Sequence, residues 1–338
     1  MTNLKKIAGF DVSKKFFDVC ILHTDKEQVQ KFAYDKEGLV ALGKMLPSGT
    51  HCIMEATGPY YLKLAFYLHG QGFTVSVVNP LVIRRFSQMR LLRAKTDKAD
   101  ARMIAAYGKV EQPDAWQPPA GYVIKLQQLD ALQHQLQKQH TALLCQTEAF
   151  TASGMMDKEM KQFLQKAITH VDKQLDYITN RMEAIIEEYH QQMLNNIISI
   201  PGIGKKTAIV LIVLSGGFSK FSNYKQLSAY VGLSPRIYES GSSVKGKARI
   251  CKMGMSRIRA LLYVCAWSAK RCNKACKELY ERLVAKGKSK RLALIAVANK
   301  LIKQAFVIAT NNTTYQTNYL NPAKVDRTIY TSSVKNIS

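Results

Sequence analysis

Four acidic residues in the first hundred positions carry the most informative chemistry of this chain. Asp11 ends the apolar run 7–10, Glu55 ends the run 51–54, and Asp97 and Asp100 lie three residues apart. An unpaired carboxylate is costly to move out of water, so acids in such places usually face a cation or a metal. Mg²⁺ acting on phosphate uses hard oxygen ligands from separated chain segments. The four acids therefore predict a Mg²⁺ site for phosphate chemistry, in which Mn²⁺ can substitute.

The pair Asp97 and Asp100 also has a simpler interpretation. The segment from residue 97 is helical in propensity, and an i, i+3 spacing places both side chains on one face. Two adjacent carboxylates repel unless a cation lies between them. Acids in the first turn of an exposed helix are also favourable on their own. The pair by itself leaves both interpretations open.

The charge of the chain is strongly uneven. Its 338 residues hold 49 Lys and Arg against 24 Asp and Glu, and residues 196–338 hold 25 against four. Such density suits a polyanion, either nucleic acid or an anionic membrane surface. The membrane is disfavoured, because no apolar run reaches the roughly 18 residues of a spanning helix. Seven cysteines without a C-x-x-C pair indicate reduced thiols, so we expect a cytoplasmic protein.

The elements that must position the acids are predicted at the start of the chain. Residues 5–22 have the pattern of a β-hairpin, and residues 51–79 that of a βαβ unit. Together they predict a mixed sheet covered by helices. Function gathers at the carboxyl ends of strands in such sheets. Asp11 and Glu55 both fall at such ends.

Two long helices are predicted after a proline-rich break at 113–119. The first repeats an apolar residue every seven positions, and the second alternates steps of four and three, with a turn at 153–154. This pattern predicts an antiparallel coiled-coil hairpin that acts either as a rigid spacer or, as we favour, in oligomerisation. The residues of the two repeats are Leu129, Leu136, Leu143 and Phe150, then Leu164, Ile168, Val171, Leu175, Ile178, Met182, Ile185 and Tyr189.

The basic half begins with a glycine-rich motif at 200–208. Gly202 and Gly204 are followed by Lys205 and Lys206 at the start of an apolar helix. Free backbone N–H groups and the helix dipole suit a phosphate there. The motif resembles a helix-hairpin-helix element, which binds the nucleic-acid backbone without reading its sequence. The alternative is an ordinary glycine turn before a core helix.

A second motif places serines among cations and glycines. Ser240, Ser242 and Ser243 lie in a loop whose glycines allow a close approach to a ligand. A hydroxyl is a weak nucleophile until it is activated, so spacing alone favours phosphate binding over nucleophilic attack. A helix over 256–269 follows, and residues 286–291 form a basic loop or a solvated charge run. The cations expected to contact phosphate are Arg236, Lys245, Lys247, Arg249, Arg257 and Arg259.

Taken together, these sequence motifs resemble those of the DEDD transposases of the insertion-sequence one-ten family. These transposases are related to the pilin invertases and act as bridge-RNA-guided recombinases. The resemblance covers residue 7 to about 300, with Phe10 and Pro59 as departures outside the metal ligands. Six sequence motifs that occur in the same order as in the family make the resemblance specific. They are Phe10-Asp11-Val12 to Asp18-Val19, then 55–60, 77–80, 95–102, 200–205 and 238–243.

The resemblance implies an α/β RuvC-like, ribonuclease-H-type domain over 1–115 with metal ligands Asp11, Glu55, Asp97 and Asp100. It implies a coiled-coil hairpin over 116–195 and a mainly α transposase domain over 196–310, followed by a tail at 311–338. Ser240 would be the catalytic serine. The implied partners are donor and target DNA, a structured guide RNA of the same element, and further copies of the chain, as a dimer or a tetramer. The implied location is the bacterial cytoplasm, in association with the nucleoid.

Two rival functions remain open at this stage. A metal-dependent junction nuclease would have the same N-terminal fold, with water as nucleophile and the serine loop only holding phosphate. A non-catalytic nucleic-acid scaffold would keep any activity after loss of the acids. A covalent protein–DNA adduct distinguishes the recombinase from the nuclease.

Overall fold

The chain forms two compact units, 1–119 and 120–338. The computed structural model describes residues 6–22, 27–91, 96–236, 239–240, 244–245, 249–251 and 253–318. The division falls at the predicted proline-rich break. The further division of the second unit at 195 and 310 stays a prediction.

The first unit is built on one mixed five-stranded sheet with the order β3-β2-β1-β4-β5. β1 pairs antiparallel with β2 and β2 with β3, whereas β1, β4 and β5 run parallel. The predicted hairpin and βαβ unit are confirmed, and the sheet fits a RuvC-like protein. The strands are β1 Ile7–Val12, β2 Phe16–Leu22, β3 Glu27–Ala33, β4 His51–Glu55 and β5 Thr74–Val78.

Helices cover both faces of this sheet. α1 and α2 bury Leu42 and Leu64 in the core on one face, and α3 and α4 bury Phe86 and Ile104 in the core on the other. The helix predicted to begin at Asp97 is confirmed as α4. The helices are α1 Lys36–Met45, α2 Tyr61–Gly70, α3 Pro80–Met89 and α4 Asp97–Glu111.

Two glycines let α4 lie directly on the sheet. A Cβ atom on Gly9 would stand 2.2 Å from the Ala105 nitrogen, and one on Gly108 would stand 2.5 Å from Ile53 Cγ1. Only hydrogen fits at either position. Because Gly108 near the end of α4 also lies close to Ile7 at the start of β1, whereas Gly9 faces the middle of α4, the first turn of α4 lies toward the end of β1. The close approach thus brings the helix start to Asp11.

The second unit is mainly helical. Its first two helices are the predicted long pair, and buried residues of both share one core cluster, among them Leu126, Leu136, Ile178 and Met182. The helical hairpin is therefore confirmed, whereas a supercoil stays a prediction; α6 is kinked at His190. The helices are α5 Gly121–Ala152, α6 Lys158–Ile198, α7 Lys205–Ser215, α8 Tyr224–Val231, α9 Ser256–Cys272, α10 Lys274–Ala285 and α11 Lys290–Thr310.

The helix α11 is an exception to the expectation that no segment is long and apolar enough to span a membrane. By length and composition alone its 21 residues meet that test. In the structure, 56% of the apolar stretch of this helix is buried inside the protein, and Leu301 and Ile302 are fully buried. The helix therefore packs as a core helix of this unit.

The predicted flexible tail begins with residues that are held in place. The Tyr315 backbone N–H donates to Ser199 Oγ at 2.8 Å, and its hydroxyl donates to Asn273 Oδ1 at 3.0 Å. Residues 311–318 thus belong to the folded unit. The remainder of the predicted tail lies outside the described residues.

Candidate active site and nucleic-acid interface

The four predicted acids, called here the acid cluster, come to one end of the first sheet. Phe10 of β1 lies opposite Met54 of β4, so the next step of this parallel register brings Asp11 beside Glu55. Asp97 and Asp100 occupy the first turn of α4, which is capped by the Thr96 hydroxyl accepting from the Ala99 N–H at 3.2 Å. Three separate chain segments therefore contribute the four carboxyl groups.

The acids influence one another electrostatically. Burial, as the largest cause, and then the negative charges of Asp100, Asp97, Glu55 and Asp18 in that order together raise the pKa of Asp11 from 3.8 to about 6. An acid whose neighbours are all acids gives up its proton reluctantly. The cluster therefore favours a cation among its oxygens.

Two residues that sequence reasoning did not assign also belong to this region. Asp18 lies opposite Asp11 across the hairpin, and Lys31 of β3 lies opposite Asp18. Lys31 Nζ stands 3.7 Å from Asp18 Oδ2 and 3.6 Å from Asp97 Oδ2. Lys31 therefore links the helix that carries Asp97 to the sheet. The predicted hairpin could have identified Asp18 from the sequence, because Asp11 and Asp18 flank its turn symmetrically.

The chemistry of this donor set fits a hard divalent cation. All four members offer carboxylate oxygens, and one oxygen of Glu55 already accepts a hydrogen bond from the Thr57 hydroxyl at 2.7 Å. Within the described part of the chain, however, no three His, Cys, Asp or Glu side chains gather closely enough to share one ion. The Asp97 side chain is 69% exposed, which leaves it room to turn. The oxygens thus suit the ion by type, and sharing it requires side-chain movement.

The glycine-rich motif of the second unit has a clear structural role. Gly202 has φ of +101°, and a Cβ atom there would lie 2.6 Å from the Ala269 Cβ of α9. Gly204 has an ordinary φ of −87° at the N-cap of α7, and its added Cβ would meet nothing within 4 Å. Gly202 therefore permits packing of the turn on α9. A phosphate-binding role for both glycines stays a prediction.

The two glycines form a matched pair for a stability test. Gly202→Ala is expected to lower the free energy of unfolding by about 2–4 kcal/mol, because it combines backbone strain with a steric clash. Gly204→Ala should lower it by less than about 1 kcal/mol. Chemical denaturation of both variants measures the difference. Equal losses would contradict the packing role of Gly202.

Lys205, predicted to bind phosphate, has two carboxylate partners. Its Nζ stands 2.6 Å from Glu183 Oε2 and 3.1 Å from Glu187 Oε1, which ties the start of α7 to α6. The hydrogen bonds to Glu183 and then to Glu187 raise the pKa of Lys205. Lys206 is exposed, and the described residues provide no ion pair for it. The neighbouring lysines are therefore held differently.

This difference predicts separate effects on binding. Lys206→Ala should lower DNA affinity and reduce the slope of log affinity against log salt by about 1, as for loss of one phosphate contact. Lys205→Ala should leave that slope nearly unchanged and cost about 0.5 kcal/mol of unfolding free energy, since its ion pairs are exposed. Binding titrations at several salt concentrations measure both slopes. A slope change in Lys205→Ala as large as in Lys206→Ala would mean that Lys205 leaves its glutamates for phosphate.

Two predicted phosphate-binding arginines of α9 also have partners within the protein. Arg257 Nη1 donates to Asp130 Oδ1 at 2.7 Å, and its other terminal nitrogen donates to Gln133. Arg259 donates to the Val231 carbonyl at 3.0 Å. These contacts join α9 to α5 and to the end of α8. Nucleic-acid binding by the two arginines stays a prediction.

Of the serine motif, the structure describes the backbone of Ser240 and of short paired segments around it. Pro235–Arg236 pairs antiparallel with Arg249–Ile250, and further along Glu239–Ser240 pairs with Val244–Lys245. Ser240 lies opposite Val244, with 241–243 between them. Lys247, Ser242 and Ser243 lie outside the described residues, as do the side chains of Arg236, Ser240, Lys245 and Arg249.

Comparison with known proteins gives a consistent result for both units. Residues 8–153 match the profile of the DEDD transposases of IS110 type, and residues 194–281 match that of the IS116/IS110/IS902 transposase family. The pilin gene-inverting protein of Moraxella lacunata is 32% identical over 322 residues, which cover 91% of this chain and 97% of that protein. The Moraxella bovis protein of the same name has the same identity and coverage.

More distant relatives support the same assignment. The transposase for insertion sequence element IS1111A of Coxiella burnetii is 23% identical over 92% of this chain and 91% of its own length. The first matched segment contains the whole acid cluster, and the second contains Gly202 through Arg259 with Ser240 between them. The chain therefore belongs to the insertion-sequence one-ten (IS110) family of DEDD transposases and recombinases, enzymes that cleave and rejoin DNA.

Proposed function

We propose that this protein is a bridge-RNA-guided recombinase that moves an insertion sequence from donor to target DNA through a covalent phosphoserine intermediate. The observation that carries the proposal is the acid cluster, in which β1, β4 and the first turn of α4 bring four carboxyl groups to one end of the first sheet. The strongly basic 196–338 region supports binding of DNA and of a structured RNA. In this proposal, base pairing with the RNA supplies the choice of sequence.

The acid cluster would hold Mg²⁺, or Mn²⁺ in its place. When bound, the ion would neutralise charge on the scissile phosphate and polarise its oxygens. Ser240 Oγ would attack the phosphorus, forming an O–P bond as the bond to one strand end breaks. The serine proton leaves to a base, and the departing strand end takes up a proton as a free hydroxyl. Because the phosphodiester energy is kept, attack by another strand end can reverse the step and rejoin DNA without a further energy source.

Recombination between two DNAs requires more than one chain. We propose a homo-oligomer, a dimer that becomes a tetramer when donor and target are held together, in which the α5–α6 hairpin contributes to association. Subunit mixing tests whether active sites are shared. Asp11→Asn and Ser240→Ala chains, inactive alone, restore strand exchange in a mixture if one chain supplies the acids and another the serine.

The alternative function is a metal-dependent DNA junction nuclease that uses water. The acid cluster supports it equally well, because the same carboxylates would serve either nucleophile. The two functions differ in their products. The nuclease leaves broken strands and no protein–DNA adduct, whereas the recombinase leaves new joints.

The test combines purified protein, donor and target plasmids, and RNA transcribed from the DNA that flanks the reading frame. We expect sequenced recombinant joints that depend on both RNA and Mg²⁺ and that disappear with EDTA. Changing the RNA segment that pairs with the target should move the joint to the matching site. Joints that persist with a scrambled RNA would refute guidance by RNA, and breaks without joints would favour the nuclease.

A further inference from the structure

An apolar pair stands out on the solvent side of α9. Val264 is 67% exposed and Trp267, one turn later, is 50% exposed, whereas Leu262 and Ala266 on the opposite side are fully buried. A helix of this unit would ordinarily place polar residues at such positions. Large exposed apolar side chains with no need in the fold commonly mark a binding surface.

Two cationic side chains of α9 follow this apolar pair. Lys270 Nζ stands 4.1 Å from the centroid of the Trp267 ring and 5.1 Å from that of Tyr280. Arg271 follows and is exposed, and the sequence contains neither Asp nor Glu between residues 240 and 277. The neighbouring α10 carries Glu278 and Glu281, and Glu281 lies 4.0 Å from Lys277 Nζ. The cations of α9 therefore favour an anionic partner that also offers a flat apolar face. We call Val264, Trp267, Lys270 and Arg271 the Trp267 patch.

We propose that the Trp267 patch binds an unpaired nucleotide of single-stranded nucleic acid, with the base on the face of the indole ring that Lys270 does not cover and the neighbouring phosphate at Lys270 and Arg271. Base–aromatic stacking accepts any base, because every base has a π-face. A duplex hides those faces within its own stack, so an unpaired segment fits better. A second copy of this chain fits poorly, since two such cationic surfaces repel each other. The site rests on the proposed function only in requiring a strand that is partly unpaired.

The composition of the chain allows a direct test. Trp116 and Trp267 are its two tryptophans, and Trp116 packs within the other unit with its ring 5.3 Å from that of Phe66. Trp116→Phe leaves Trp267 as sole reporter, and Trp267→Phe leaves Trp116. Each variant is titrated with a homothymidine strand, alone and paired with homoadenine, while tryptophan emission is followed. We expect quenching in the chain that keeps Trp267, with the single strand, and little in the chain that keeps Trp116.

Affinity provides the second readout. Trp267→Ala should weaken binding of the single strand about 5- to 10-fold, within the range for loss of one stacked base, and Trp267→Phe should recover most of it. Tyr177→Ala, which removes a 69% exposed aromatic side chain from α6, is the matched control and should change affinity less than about 2-fold. Thermal melting confirms that each variant is folded.

Three outcomes would overturn the proposal. The single strand could leave Trp267 emission unchanged while Trp267→Ala leaves the affinity for that strand unchanged. Alternatively, Trp267→Ala could weaken binding of the duplex as much as binding of the single strand. Loss of oligomer mass in Trp267→Ala, without a change in nucleic-acid affinity, would assign the patch to another copy of the chain. Because a homopolymer strand requires no guide RNA, the result is independent of whether RNA guides the recombination.

Discussion

Ser240→Ala is expected to abolish the covalent protein–DNA adduct and to lower strand exchange by about 1,000-fold or more, because the variant has no hydroxyl to attack the phosphorus. Binding of RNA and DNA should stay within about 2-fold, since one hydroxyl contributes little to a largely electrostatic interaction. Denaturing electrophoresis of labelled DNA detects the adduct, and mass spectrometry of the trapped peptide locates the modified residue.

Ser242→Ala and Ser243→Ala are the matched controls, because they remove the same group from the same loop. Ser240 is the proposed nucleophile, and its backbone pairs in register with that of Val244. A nucleophile must be held in position to act. If Ser242→Ala or Ser243→Ala removes the adduct and Ser240→Ala does not, the assignment is wrong. Cleavage without any adduct in the unmodified chain would favour the water-using nuclease.

The elements that sequence reasoning predicted are those with strong local signals. β1 and β2 are short apolar runs around polar turn residues, and α6 repeats its apolar residues over many turns. β3 was not predicted, because Glu27, Gln28, Gln30 and Lys31 give this edge strand little apolar alternation. Its place is decided by pairing with β2. That pairing depends on the tertiary fold, which the strand's own residues do not encode.

The same limit applies to the candidate site. Asp11 and Glu55 could be predicted because each follows an apolar run, and Asp97 and Asp100 because their i, i+3 spacing places them on one helix face. The carboxylate partners of the basic residues could not be predicted in this way. Lys205 meets Glu183 across 22 residues, and Arg257 meets Asp130 across 127. A basic residue in a binding motif therefore indicates capacity for phosphate, while the fold determines which cations already have an internal partner.

Asp11→Asn is expected to lower strand exchange by about 1,000-fold or more while stabilising the metal-free protein. In the folded chain Asp11 keeps its proton to about pH 6, whereas in the unfolded chain it loses it near the ordinary value of 3.8. The stability that Asp11 contributes is therefore full below about pH 4 and is lost as the pH rises through 6. Asparagine has no such loss. In EDTA at pH 7.5 the free energy of unfolding of the variant should exceed that of the unmodified chain by about 1–2 kcal/mol, after allowance for solvent screening.

Addition of Mg²⁺ should reverse this order. An ion that binds only the folded state stabilises it by mass action, so the unmodified chain gains and Asp11→Asn, which lacks one ligand, gains less. Denaturation with EDTA and with Mg²⁺ measures both effects without reference to activity. Glu37→Gln, which neutralises an exposed acid in the first turn of α1, is the control: it loses the same helix-dipole contribution with EDTA and with Mg²⁺ and should leave the gain from Mg²⁺ unchanged. Equal Mg²⁺ stabilisation of Asp11→Asn and the unmodified chain would remove Asp11 from the metal site. Absence of the gain in EDTA would mean that burial and charge repulsion disfavour the ionised Asp11 less than its raised pKa indicates.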